Sequence, residues 1–277
     1  MASLISACMP GPIKEVTKVA EKIASSGKVS SQYFEHGSSR IHYMARGDRN
    51  KPVIAFLHGT PGTWDIFAHQ LNDDNLVKKA YLVSIDRPGW GKSSASANDI
   101  YLSLKTQADL LAPLLLSLKN NSNSHTLILA GHSLGATLAS YIAMLYPDII
   151  DGTVSFAGDL SGDYLDKQWY NEVASWWLVK PLLPQMITNS NNEVLALPAN
   201  LTRMSALWSE LNSPYIVYQG GEDSLVDYRN ADFARQLNTR SSVEVNFYPE
   251  QDHFIHLVLQ ASVSERLLQL LDSVIRQ

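Results

Sequence analysis

From about residue 31 onward, short continuously apolar runs alternate with stretches whose apolar residues recur at helical spacing. "SQYFEH" and "RIHYMARG", residues 31–36 and 40–47, read as a hairpin pair. "PVIAFLHG" (52–59) and "AYLVSIDRPG" (80–89) read as strands on either side of a helix over 63–75. Residues 102–119 predict a Leu-rich helix, "TLILAGH" (126–132) a buried strand, 134–146 a helix ended by Pro147, and 149–157 another strand. After an interval come a strand "YIVYQG", a helix over 228–238, a strand "SVEVNFY" and a final helix from about 254. Continuously apolar strands separated by helices predict an α/β fold, with a mainly parallel central sheet and helices on both faces. Ligands of such sheets sit beyond the carboxyl ends of the strands.

Ahead of this pattern, residues 1–30 form a leader. Ile13, Val16, Val19, Ala20 and Ile23 give it an apolar stripe at helical spacing, which predicts a short amphipathic helix packed on the domain. The 277 residues, 45% hydrophobic and 18% charged, are enough for a sizeable core. A net charge of −5 with scattered Lys and Arg offers no basic face, so no nucleic-acid partner is expected. No apolar run approaches the ~20 residues of a membrane-spanning helix. Cys8 is the only cysteine, which excludes an internal disulfide and leaves a thiolate zinc site without support.

"LILAGHSLGATLASYIA", residues 127–143, sets Ser133 in the first turn after a buried strand, at the entrance to a helix. A bend that sharp crowds the backbone, so the residues two before and two after must be small, as Gly131 and Gly135 are. The bend lifts the hydroxyl toward the strand ends, and the helix N-terminus favours negative charge developing there. A serine hydroxyl becomes a useful nucleophile when a base takes its proton and an acid steadies that base. Asp223, beyond one later strand in "YQGGEDSLV", and His253, beyond the next in "FYPEQDHFIH", complete the chain order Ser, Asp, His.

With these residues the chain resembles the serine-nucleophile, esterase- and lipase-like branch of the α/β-hydrolases, from about residue 31 to the end. "HGTPG", His58 to Gly62, resembles the family's oxyanion loop, which implies that the backbone N–H groups of Thr60 and Leu134 bind the oxyanion. "DRPGWGKS", Asp86 to Ser93, resembles the turn after the fourth strand. The resemblance also implies a core of residues 31–159 and 211–277 with a short helical lid inserted at 160–210, where Trp169, Trp176 and Trp177 are candidates for an apolar substrate pocket. The rival acid is Asp159 and the rival base is His256; His58 and His132 are expected to serve as turn residues.

The implied reaction is hydrolysis of a small ester-type substrate with an apolar group through an acyl-enzyme, with no metal and no cofactor. Thioesterase, lactonase and C–C bond hydrolase activities run on the same triad, and a non-hydrolytic ligand-binding member of the family is the alternative of a different kind. Serine at the elbow argues against epoxide hydrolases and haloalkane dehalogenases, whose pattern puts aspartate there. Finally, Leu4-Ile5-Ser6-Ala7-Cys8 resembles the lipobox of bacterial lipoproteins, which implies a periplasmic, membrane-anchored protein with a truncated signal; the other reading is an ordinary leader on a cytoplasmic protein. The sequence leaves the oligomeric state open.

Overall fold

In the computed structural model, residues 11–165, 174–175 and 180–276 are described. Cys8, Trp169, Trp176 and Trp177 lie outside the described residues. Eight strands among the described residues form one sheet: β1 (Ser30–His36), β2 (Ser39–Arg46), β3 (Val53–Leu57), β4 (Tyr81–Ile85), β5 (Leu127–His132), β6 (Gly152–Phe156), β7 (Tyr215–Gly220) and β8 (Val243–Tyr248). Their spatial order is β1-β2-β4-β3-β5-β6-β7-β8. β1 pairs antiparallel with β2, and β2 with β4; every later neighbour is parallel.

β3 to β6 are buried along their whole length, and β3, β4 and β5 accordingly read as mainly apolar runs rather than alternating ones, while β6 buries Thr153 and Ser155 as well. Successive side chains still point to opposite faces. Val53, Ala55, Leu57 and Leu129 enter one core, and Ile54, Phe56, Ile128 and Ala130 the other. Helices α4 (Leu104–Asn121) and α5 (Leu134–Leu145) cover the first face. The second is covered by α1 (Gly11–Ser25), α2 (Ala68–Asn72), α3 (Asp74–Lys79) and the terminal helix α9 (Gln260–Ile275).

Three predicted helices are interrupted or shortened. The segment predicted over 63–75 is a 3-10 turn at Trp64–Phe67 followed by α2, and it is broken at Asp73. Asp73 leaves the helical region and its carboxylate caps α3 by accepting from the N–H groups of Asn75 and Leu76. The helix predicted over 228–238 is α7 (Asn230–Arg235), because Asp227 takes the Arg229 N–H into a turn. The predicted C-terminal helix divides into α8 (Ile255–Val258) and α9. Within residues 160–210 stands α6 (Gln185–Ser205), entered from Pro184 and continuing through Pro198. Trp208 packs against Tyr215 and Phe233 in the core.

Candidate active site

Ser133 follows the last residue of β5 and caps α5 with φ 54° and ψ −129°, a left-handed conformation that costs a non-glycine residue energy and persists only where its surroundings impose it. The imposing contacts are close. A Cβ on Gly131 would run into the Gly135 carbonyl, and one on Gly135 into the carbonyls of Leu57 and His58, so strand, bend and helix approach at a distance only glycine allows. Ser133 N–H is anchored to the Phe156 carbonyl of β6 (2.9 Å).

Two loops at the far side of the sheet bring the candidate acid and the candidate base together. Gly221 N–H donates to the Tyr248 carbonyl (2.9 Å) and Glu222 N–H to the Gln251 carbonyl (3.0 Å), bracing the turn after β7 against the turn after β8. Asp223 Oδ2 then accepts from His253 Nδ1 at 2.8 Å and from Gln219 Nε2 at 3.2 Å, while Oδ1 accepts from the N–H groups of Leu225 and Val226, each at 2.9 Å. Four donors fix this carboxylate as an acceptor and so place the His253 proton on Nδ1. Nε2 is left as the free base nitrogen. Ser133 and His253 line the same cavity, and no hydrogen bond joins them in this structure; such bonds are often long in unliganded enzymes.

Asp159, the rival acid, lines the cavity too, but its carboxyl accepts no hydrogen bond among the described residues. Burial pushes it up to about 7, with His253 pulling it down and Asp223 and Asp227 adding to the rise. His256 is fully buried away from the cavity lining, stacked 4.2 Å from the His132 ring, and burial lowers it to about 3. His132 stands between His256 and His253 (ring centroids 4.6 Å from the latter) and donates from Nε2 to the His253 carbonyl at 2.9 Å. Burial first, then the neighbouring imidazoles, hold it well below its ordinary range.

The loop of residues 58–62 presses against the serine: a Cβ on Gly59 would lie 2.9 Å from Ser133 Cβ. His58 Nε2 accepts the Arg87 N–H (2.9 Å), so its Nδ1 carries the hydrogen and donates to the Gly59 carbonyl (2.7 Å). Burial and then the Arg87 charge lower His58 to about 3. The N–H groups of Thr60 and Leu134, both bordering the cavity, have no acceptor among the described residues.

One part of the arrangement was not anticipated from sequence. Arg87, with no exposed surface, forms a two-pronged pair with Glu193 of α6 (2.8 and 3.0 Å). The same guanidinium donates to the carbonyls of His58 and Gly59 (2.9 Å each), and Gln107 and Trp90 complete the shell around Glu193. The oxyanion-like loop is thereby pinned to α6. Glu193 stands between the polar run "NSNN" and the apolar run "VLALP", and nothing local in the sequence marked it.

The cavity measures about 1070 Å³. Its walls are α6 (Met186, Val194, Leu195), the first turns of α1 (Ile13, Val16, Thr17) and the segment 223–228. Asp65, Asp159, Asp223 and Asp227 line it, with no Lys or Arg among the described lining residues. No group of three metal-ligating side chains occurs among the described residues, and no described helix is long and apolar enough to cross a membrane.

A sequence model of the alpha/beta hydrolase fold matches residues 52–192, just over half of the 277 residues. Epoxide hydrolase 4 of Mus musculus is 34% identical over 112 residues, covering 40% of this chain and 29% of its own. The 2-hydroxy-6-oxononadienedioate/2-hydroxy-6-oxononatrienedioate hydrolase of Escherichia coli O81 (strain ED1a) is 31% identical over 127 residues, covering 44% of this chain and 41% of its own. The chain thus spans well under half the length of these curated relatives. Among solved structures, one from Acinetobacter baumannii AYE, provisionally described as a lipase, superposes with a TM-score of 0.73 at 18% identity over 94% of this chain and 96% of that one.

Proposed function

Because this chain belongs to the α/β-hydrolase fold family, we propose that it is a serine hydrolase cleaving a neutral ester-type bond that carries an apolar group, through an acyl-enzyme. The observation that carries this reading is the convergence on one cavity of Ser133 on its strained bend and of His253, steadied by Asp223 at 2.8 Å. His253 Nε2 takes the hydroxyl proton as Ser133 Oγ attacks the carbonyl carbon. The carbonyl oxygen gathers charge and turns to the unoccupied N–H groups of Thr60 and Leu134, each donor worth about 3 kcal/mol of barrier in comparable sites. His253 then protonates the leaving group, and water repeats the cycle on the acyl-enzyme.

The lining supports a neutral substrate. Asp65, Asp159, Asp223 and Asp227 line the cavity with no Lys or Arg among the described lining residues, and of the four only Asp227 pairs with an arginine, Arg229; this balance disfavours a dianion such as the dienedioate in the name of the Escherichia coli relative. The epoxide hydrolase names do not carry over either. A serine oxygen opening an epoxide would form an ether, which the second, hydrolytic half of the cycle cannot cleave.

A fluorophosphonate probe and a panel of p-nitrophenyl esters, thioesters and lactones test the proposal. The expected result is labelling at Ser133 and turnover that disappears in Ser133→Ala. Turnover surviving that substitution would remove the nucleophile, and ligand-induced thermal stabilisation without any turnover would make the protein a binder.

A further inference from the structure

Helix α1 lies outside the residues that match the family model, yet it forms part of the cavity wall. Val16, Ala20 and Ile23 are buried and dock the helix on the second core, beside Phe67, Ala68 and Leu71. The first turns extend past that docking surface. Ile13, Val16 and Thr17, at spacings of three and four, share a helix face that opens on the same cavity as Ser133 and His253. Ile13 is half-buried: it packs against the edge of the second core and also lines the cavity. Thr17 satisfies its hydroxyl on the Ile13 carbonyl (2.9 Å), which removes a polar demand from this wall. Ile66 and Phe254 continue the surface, and Phe254 sits beside the base, its ring 5.4 Å from that of His253. An apolar path thus runs from the reacting centre to the leader helix.

Resting on the ester-hydrolase reading, we propose that α1 is a chain-length ruler: the substrate carries an unbranched alkyl chain of medium length or longer, which lies along Phe254 and Ile66 and ends against Ile13. Size agrees with this occupant. The cavity's 1070 Å³ stands at the top of the roughly 300–1,000 Å³ that encloses a drug-sized ligand, far more than an acetyl group fills. Chemistry agrees too, since the side chains the alkyl chain would follow, Phe254, Ile66, Val16 and Ile13, are aliphatic and aromatic. Each methylene that finds room should raise kcat/KM about fourfold, the equivalent of about 0.8 kcal/mol of transfer free energy.

The test compares wild type, Ile13→Trp and Ile13→Ala by two readouts: kcat/KM on p-nitrophenyl acetate, butyrate, octanoate and dodecanoate, and the Tm shift given by neutral 2-alkanones of matching length. Ile13→Trp is expected to lower the octanoate-to-acetate ratio by about tenfold or more, the loss of two or more methylenes at the fourfold step. Cooperative thermal unfolding without ligand shows whether each variant is folded. Ile13→Ala moves the optimum to a longer chain. Ratios and Tm shifts unchanged in both variants overturn the ruler. Should no ester turn over while the alkanone shifts still depend on length and still respond at position 13, the hydrolase reading falls and the ruler stands. Should Ile13→Trp fail to fold, Ile13→Ala decides alone by the direction of its optimum.

Discussion

Among the described residues stand two Ser-His-Asp arrangements, and the better connected of them is not at the cavity. In the first, Ser31 Oγ lies 2.9 Å from His42 Nε2, and His42 Nδ1 lies 2.7 Å from Asp86 Oδ2. In the second, His253 meets Asp223 at 2.8 Å and Ser133 stands unbonded across the cavity. Hydrogen-bond connectivity alone would favour the first set, the reverse of the proposed assignment. What Ser31 lacks is everything around a nucleophile. It sits in β1, paired with Met44 of β2, with no strained bend, no helix N-terminus and no cavity among the lining residues described. His42 is completely buried, and Asp86 also accepts from the N–H groups of Trp64 (2.8 Å) and Lys92 (2.9 Å). That set ties β1, β2 and the turn after β4 into one unit. A triad is therefore defined by what its serine faces, and an unbonded serine on a tight bend over an open cavity is the more capable one.

The comparison can be broken at several points. The largest effect is expected at the serines. Ser133→Ala should lower kcat by on the order of a millionfold, as nucleophile removal does in serine proteases. Ser31→Ala, measured on the same ester, should leave kcat within about twofold, because it removes one edge hydrogen bond. Loss of activity in Ser31→Ala with retained fold would reverse the assignment.

The acids come next. Asp223→Asn should cost about 10⁴-fold in kcat, by analogy with the same change in the serine-protease triad. Asp86→Asn should instead lower stability by about 1–3 kcal/mol, the range for a buried donor left without its partner, with kcat of the folded protein little changed. Denaturation and steady-state kinetics on both variants separate the two roles. Asp159→Asn should resemble neither, since its carboxyl holds no donor among the described residues; a large drop in kcat there would make Asp159 the catalytic acid.

Glu193→Gln should destabilise the fold by about 3–5 kcal/mol, because it strands the Arg87 guanidinium without its countercharge. Since that guanidinium also holds the carbonyls of His58 and Gly59, kcat should fall along with stability, as paired denaturation and kinetic measurements would show.

The smallest effect is a slope with pH. His58 and His256 titrate near 3 in the folded chain and His132 is held low as well, so between pH 6.5 and 3 the unfolded chain binds protons on them that the native state refuses. Stability therefore falls as pH falls through that window. Asp159 acts in the opposite sense: raised to about 7, it stabilises the native state below the ordinary carboxylate range and that contribution is lost as pH rises from about 4 through 7. Three imidazoles outweigh one carboxyl, so the net slope is positive and stability should fall on acidification below pH 6. A Tm that rises on acidification from pH 7 to 5 would contradict it.

Much of this was legible in the order of residues. Burial on both faces writes β3, β4 and β5 as mainly apolar runs, so these strands could be read directly. The elbow was legible because its crowding demands glycine at 131 and 135, a steric rule that acts over five residues. Interruptions at Asp73 and Asp227 were not read, although their capping chemistry is equally local. The pairing of Arg87 with Glu193 was invisible for another reason: 106 residues separate them, and nothing in either neighbourhood names the partner.

By itself, then, the sequence determined whatever short-range sterics and periodicity enforce: the alternation of strands and helices, the bend under Ser133, and an Asp and a His at the ends of later strands. Tertiary structure alone decided which histidines stay neutral in the core, which of two acids receives the His253 proton donor, and which helix closes the cavity. Those outcomes depend on desolvation and on contacts between residues remote in the chain. Burial and distance are properties of the packed molecule that no local window of residues contains.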